Sequence, residues 1–256
     1  MHRQIKKGSI SFCPKLHQNK LLSHLSRDEC ERVCPHLELV RVETGQVLCG
    51  PGEKSGHAYF PLDCFFSLSH IMEDASSYAA ALVGHEGVLC HSVLVDAAMP
   101  YTVVCQSAGH VIRIRADILQ REFGCSHWFS RRLLRYSQAL MAHMGLNAAC
   151  TRHHGLTEQL SQLLLQIGDR LSFDEIALTQ ESISSLLGVR RERINKAALE
   201  LQDDGIIRYS RGRIHILDRL RLLERSCGCY AAIKSEFSRL LEEDEVPSPC
   251  LVSAVK

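Results

Sequence analysis

No run of eighteen apolar residues occurs in the 256-residue chain. Its most apolar stretch, 78–99, is broken by Gly84, His85, Glu86, Gly87, His91 and Asp96, which argues against a membrane span. The basic N-terminus (His2, Arg3, Lys6, Lys7) is followed by no apolar segment with a small-residue cleavage site, so a cytoplasmic protein is expected. There is no CxxC among twelve cysteines, and the nearest pairs are Cys30/Cys34 and Cys227/Cys229. Zinc sites usually carry two tight pairs, so no metal site is expected, with Cys13, Cys30 and Cys34 as the weak candidates. The histidine pairs His153/His154 and His85/His91 lack the i, i+4 spacing of a helical metal pair. Serine-hydrolase, zinc-protease and P-loop signatures are missing, so an enzyme is not expected; a Cys/His-dependent one is the remote alternative. The chain shows no internal repeat and no low-complexity tract. It also lacks a charge excess: the net charge is only +1.

What is present changes character along the chain. Residues 1–18 are expected to form a loose arm. Residues 19–35 suggest short helices with Ser26 as an N-cap. From Leu37 to about Asp117 come short strand-like runs, each closed by Gly, Pro or Asp, the pattern of a β-sandwich or barrel. The pattern then turns helical. Over 127–151, Phe129, Leu133, Tyr136, Leu140, Met144 and Asn147 recur at three- and four-residue steps. Such a stripe serves either as the packed face of a helix on its own domain or as a seam for a partner helix; its narrowness favours the seam. A second helix follows, with Leu156, Leu160, Leu163, Leu164, Ile167 and Leu171 on one wide face. Beyond residue 230 the chain turns acidic and is expected to be a mobile tail, 231–256.

Residues 179–217 carry the sharpest signal. Thr179 suits an N-cap, Gln180 and Glu181 open a helix, and Gly188 suits its left-handed end. A second helix then buries Ile194, Ala197, Ala198 and Leu201 and turns out Arg191, Glu192, Asn195 and Lys196, flanked by Arg190 and Arg193. Two short strands around Ser210-Arg211-Gly212 form a hairpin with Arg208, Arg211 and Arg213. Between Gly188 and Arg213 seven basic residues face four acidic ones, a local excess that the whole-chain charge conceals. A helix of this kind fits the major groove of double-stranded DNA: Arg191 can donate twice to guanine and Glu192 can accept from cytosine. Arg193, Lys196, Arg208, Arg211 and Arg213 suit phosphates, and Thr179, Gln180, Arg190, Asn195 and Ser210 are further expected DNA contacts.

Helix, glycine turn, basic helix and basic hairpin resemble the DNA-binding domain of the cyclic-AMP receptor/fumarate-nitrate regulator (CRP/FNR) superfamily. In that family an Arg-Glu pair and a basic residue four positions later read the operator; here these are Arg191, Glu192 and Lys196. The resemblance is specific over 179–217 and looser before Asp117, where PGEKSGHAYFPL and ALVGHEG are similar to turns of the family's sensor domain. It implies an α+β chain: a double-stranded β-helix (jelly-roll-like) sensor at 19–126, a dimerisation helix at 127–151 and a winged helix-turn-helix at 152–230. It implies a homodimeric transcription regulator reading a palindrome, with RNA polymerase as a further partner and a hinge near Thr151-Arg152-His153. Nucleotide-binding members carry Gly-Glu and then Arg-Ser or Arg-Thr where this chain has Cys90-His91 and Met99-Pro100. Without the arginine a buried cyclic phosphate would be unpaired, so cyclic AMP is not expected. The cysteine spacing differs from that of the iron–sulfur members; no cofactor is expected, iron–sulfur and haem stay open, and a redox- or haem-sensing regulator of the same fold remains the alternative.

Overall fold

The computed structural model describes residues 15–74, 76–171 and 175–241. Two 3-10 turns at Leu16–Gln18 and Leu22–His24 lead into helix α1, Arg27–Val33. Ser26 caps α1 as expected: it accepts from the Glu29 amide, while Glu29 accepts in return from the Ser26 amide. Residues 15–18, assigned by sequence to the loose arm, are anchored through buried Leu16. The rest of that arm, with Cys13, lies outside the described residues.

The expected strand series follows: β1 (Glu38–Val42), β2 (Val47–Cys49), β3 (His57–Pro61), β4 (Phe66–Ile71), β5 (Ser77–Val83), β6 (Thr102–Cys105) and β7 (Gly109–Arg115). They form two antiparallel sheets ordered β1-β7-β3 and β2-β6-β4-β5. Phe60, Val111, Ile112 and Ile114 of one sheet share a core with Phe66, Leu68, Ala81 and Val103 of the other, which makes the β-roll. Register slips between β4 and β5, where Leu68 faces Ala81 but Ser69 faces Ala79. This bulge at Ala80 turns Ala79 outward beside Leu82, and both join the core of the second domain.

Helix α2 (Ala116–Cys125) leads to α3, His127–His153, and then α4, Leu156–Leu171. The second domain continues with β8 (Glu175–Ala177), α5 (Gln180–Leu187), α6 (Arg191–Asp203), β9 (Ile207–Ser210), β10 (Arg213–Ile216) and α7 (Arg219–Arg225). A final helix α8, Cys229–Leu241, packs along α3. That corrects the expected tail over 231–241: Ile233, Leu240 and Leu241 are buried, and Phe237 lies against His143 and Tyr136. These apolar residues recur at one helical face, which the acids beyond them obscured in the sequence. The remainder of that tail lies outside the described residues.

The stripe on α3 also needs correction. Phe129, Leu133, Tyr136 and Leu140 are each at most 2% exposed within this single chain, and Met144 packs partly against the same core. Gly87 leaves the room that the Tyr136 ring fills; a Cβ there would lie 2.4 Å from it. Asn147 donates through Nδ2 to the Ala80 carbonyl (3.0 Å), satisfying the residue that the bulge removes from the ladder. Arg132, placed off the stripe by sequence, is buried and donates to the Leu241 carbonyl (3.2 Å). The stripe is therefore the face that α3 buries on its own β-roll and on α8.

Helix α4 is buried nearly all round. Its leucines face the second domain as expected, but Gln159, Gln162, Gln166 and Arg170 form a polar stripe buried on the other side. Gln162 Nε2 donates to Asn147 (3.0 Å), and Arg170 pairs with Glu86 (2.7 Å) and donates to the Leu82 carbonyl (3.0 Å). The Arg170 stem lies where a side chain on Gly84 would sit. The two domains thus meet both through these buried polar pairs and through Phe65, Ala79 and Leu82, which join the apolar core of the second domain.

Candidate nucleic-acid interface

Local chemistry sets the two helices at this surface. Thr179 Oγ1 accepts from the Ser182 amide (3.0 Å), which starts α5; Gly188, at φ 66°, ends it in the left-handed region. After Val189 and Arg190, α6 begins, and Ile194, Ala197, Ala198 and Leu201 bury its inner face against α4 and α5. That packing turns the opposite face to solvent. Arg190, Arg191, Glu192, Arg193, Asn195 and Lys196 are all exposed.

Gln180 ties the two helices together. Its Nε2 donates to Asn195 Oδ1 (2.9 Å), and its Oε1 accepts from Arg191 Nε (3.2 Å). Arg191 is thereby held by its Nε and keeps both Nη groups for a further acceptor. Two acids toward the far end of α6 are engaged elsewhere: Glu200 accepts from Thr157 of α4 (2.6 Å), and Asp204, which caps α6, pairs with Arg225 of α7. At the start of α6 the one acid of the first turn, Glu192, stands among Arg190, Arg191 and Arg193, so the local charge is basic.

The hairpin completes the surface. Ser210 faces Arg213 across β9 and β10, so only Arg211 and Gly212 form the turn, at φ 50° and 74°. Two consecutive positive φ values are those of a type I′ turn, whose twist suits a tight hairpin. Thr179, Gln180, Arg191, Ser210 and Arg211 line one open cleft of about 450 Å³. Arg208 is exposed on β9, while Arg213 is paired with Glu175 of β8 and is thus less available than the sequence suggested.

Glu181, Tyr209 and Gly212 also line the cleft, though sequence reasoning had not assigned them to the interface. Strand alternation was the available signal for Tyr209, which shares a face with buried Ile207. Its hydroxyl donates to the Leu178 carbonyl (3.1 Å), bracing the hairpin. Burial raises the Tyr209 pKa above its ordinary value, against a smaller opposing pull from Arg191, so the phenol stays a donor.

Most cysteines lie in the β-roll. Burial pushes the Cys64 and Cys90 thiols up to about 12 and Cys105 to about 11, which leaves them protonated and unreactive. Cys30 is buried and Cys34 half-buried. The described cysteine and histidine groups that come together lie elsewhere: Cys150, His154, Cys227 and Cys229.

The chain thus joins a β-roll by one long helix to a helix-turn-helix followed by a short hairpin. Residues 158–225 match the Crp-like helix-turn-helix domain family, and the chain has the fold of CRP/FNR-family regulators. FixK2 from Bradyrhizobium japonicum is similar to it with a TM-score of 0.66 and 16% identity, over 75% of this chain and 98% of that one. A CRP-family transcriptional regulator from Thermus thermophilus gives 0.63 and 18%, over 73% and 96%. The c-di-GMP-responsive global regulator CLP from Xanthomonas campestris gives 0.58 and 16%, over 73% and 96%. No curated protein matches the chain by sequence. Among the described residues no helix is long and apolar enough to cross a membrane.

Proposed function

We propose that the chain is a cytoplasmic, homodimeric transcription regulator that binds a palindromic DNA site through α6 and the β9–β10 hairpin. The observation that carries this is the convergence of Gln180, Arg191, Ser210 and Arg211 on one open cleft beside the exposed face of α6. Arg191 and Glu192 read base edges, whereas Arg190, Arg193, Lys196, Arg208 and Arg211 neutralise phosphates.

The dimer contact is a different face of α3 from the one the sequence suggested. Arg131, Leu134, Gln138, Met141, Gly145 and Ala148 recur at three- and four-residue steps and are exposed, with Leu134 at 59% and Met141 at 60%. This is the spacing of a two-stranded coiled-coil seam with small residues at one end. Helix-turn-helix dimers place their reading helices about 34 Å apart, one turn of DNA. The β-roll acts as the sensor, but Cys90-His91 and Met99-Pro100 put no cation where a cyclic phosphate would need one.

Selection of duplexes from a random library tests the reading. Affinity for the selected site should fall linearly in log–log against salt and exceed that for scrambled DNA by a factor of at least about 10³. Equal affinity for both sequences would overturn specific recognition. A monomer by sedimentation at micromolar concentration would overturn the dimer.

A further inference from the structure

We propose that Cys150, His154, Cys227 and Cys229 hold a single zinc ion that joins the end of α3 to the start of α8. Their ligand atoms all lie within 4.8 Å of one another. Cys150 Sγ is 3.4 Å from Cys227 Sγ, and Cys229 Sγ is 3.6 Å from His154 Nδ1. Two sulfurs each about 2.3 Å from a tetrahedral zinc stand about 3.8 Å apart, so the four donors already have nearly the dimensions of the ion's shell. Three thiolates and one imidazole are a common structural zinc set, and soft sulfur donors disfavour magnesium and calcium. A two- or four-iron cluster spreads its ligands over several metal atoms and needs a wider cradle than this one.

The backbone presents these groups for local reasons. Cys150 and His154 are four residues apart at the end of α3, so they lie one above the other on the same side of the helix. Cys227 and Cys229 flank Gly228 at the connection between α7 and α8. All three cysteines are buried and pack against one another, whereas His154 is half-exposed. Four protein ligands with most of the shell buried describe a closed, structural site rather than a catalytic one. Binding replaces the thiol protons: each cysteine gives its proton to solvent, and the sulfur lone pair goes to the metal.

The position gives the ion a use. One donor pair comes from the helix that leaves the β-roll, and the other follows the last strand of the winged domain. A metal bound there closes the chain from 150 to 229 into a loop that contains α4 to α7, and restrains the turn at Thr151–His154. This inference does not depend on DNA recognition, since metal loading is measured without DNA.

The test uses full-length protein purified anaerobically with reductant, with metal content measured by mass spectrometry. About one zinc per chain is expected. Replacing it with cobalt should give intense visible d–d bands of a tetrahedral site and thiolate charge transfer in the near ultraviolet. Cys229→Ser should lose most of the metal and the charge-transfer intensity. His154→Cys should retain a four-coordinate ion with altered bands, and Cys125→Ser, exposed on α2, should change nothing. If Cys229→Ser does not fold, cobalt titration of the parent protein still decides. Metal-free protein with only octahedral cobalt absorption would overturn the proposal. So would a Cys150–Cys227 disulfide in the reduced preparation, or iron with acid-labile sulfide in place of zinc.

Discussion

The proposed reading surface and the junction between the domains are built on opposite plans. At the reading surface, the charged side chains of α6 are exposed and are set by neighbours close in sequence: a cap at Thr179, a left-handed glycine at 188 and a two-residue turn at 211–212. At the junction, polar groups are buried and are satisfied by residues far away, such as Arg170 by Glu86 and Gln162 by Asn147. The contrast separates two uses of a polar residue. An exposed arginine is available to a ligand, whereas a buried one has its partner within the fold and fixes how two domains sit together.

Removing Arg170 should give the largest effect. Both partners of its pair are almost wholly buried, and Glu86 would keep its charge without its cation. Arg170→Ala should cost about 3–5 kcal/mol in urea unfolding, and replacing Glu86 with Gln as well should recover part of that. A loss below about 1 kcal/mol would mean that the junction is not held by this pair. The two faces of α3 give the next contrast. Leu133→Ala should cost about 2–5 kcal/mol of folding stability, because it opens a cavity in the β-roll core. Leu134→Ala should leave unfolding of the monomer within about 0.5 kcal/mol and weaken self-association instead. If the two substitutions behave alike, the assignment of the faces is wrong.

At the reading surface the scale is smaller. Arg191→Ala should weaken binding to the selected site by about 1–3 kcal/mol and relax preference at one base pair, leaving the urea midpoint unchanged. A shift in stability instead would place Arg191 among the structural residues. The junction also predicts a pH effect. Burial, reinforced by nearby Arg170, pushes His143 down to about 3. Unfolded chain therefore binds a proton below about pH 6.5 that the native state excludes, and stability falls as the pH drops through that range. Between pH 7.5 and 5.5 the parent should lose about 1.4 kcal/mol more than His143→Leu, measured by urea unfolding at each pH. Parallel curves for the two proteins would contradict this.

How far each region could be read in advance follows from the same contrast. The strands, the capped helices and the basic hairpin could be read because period, turn residues and caps are local. Acids beyond Leu241 mask the apolar face of α8, so its segment has the composition of a tail. The apolar stripe of α3 was recognised, but a period of three and four residues does not say what covers it. The cover is the chain's own β-roll and α8, and the exposed Leu134–Met141 face is hidden in the sequence because glutamine, glycine and arginine interrupt it. The cysteines show this most clearly. Spacing along the chain pointed to Cys13, Cys30 and Cys34, whereas folding gathers Cys150 and His154 with Cys227 and Cys229 across more than seventy residues.

From the sequence alone came the order of elements, the helix-turn-helix and hairpin, and the exposed basic face of α6, because each depends on hydrogen bonds and side-chain directions within a few residues. Tertiary structure alone decided which side of α3 is buried, why α4 carries a glutamine stripe ending in Arg170, and which cysteines meet. Those outcomes depend on which surfaces pack together over long distances, and a surface carries no record in its own segment of the partner it will bury against.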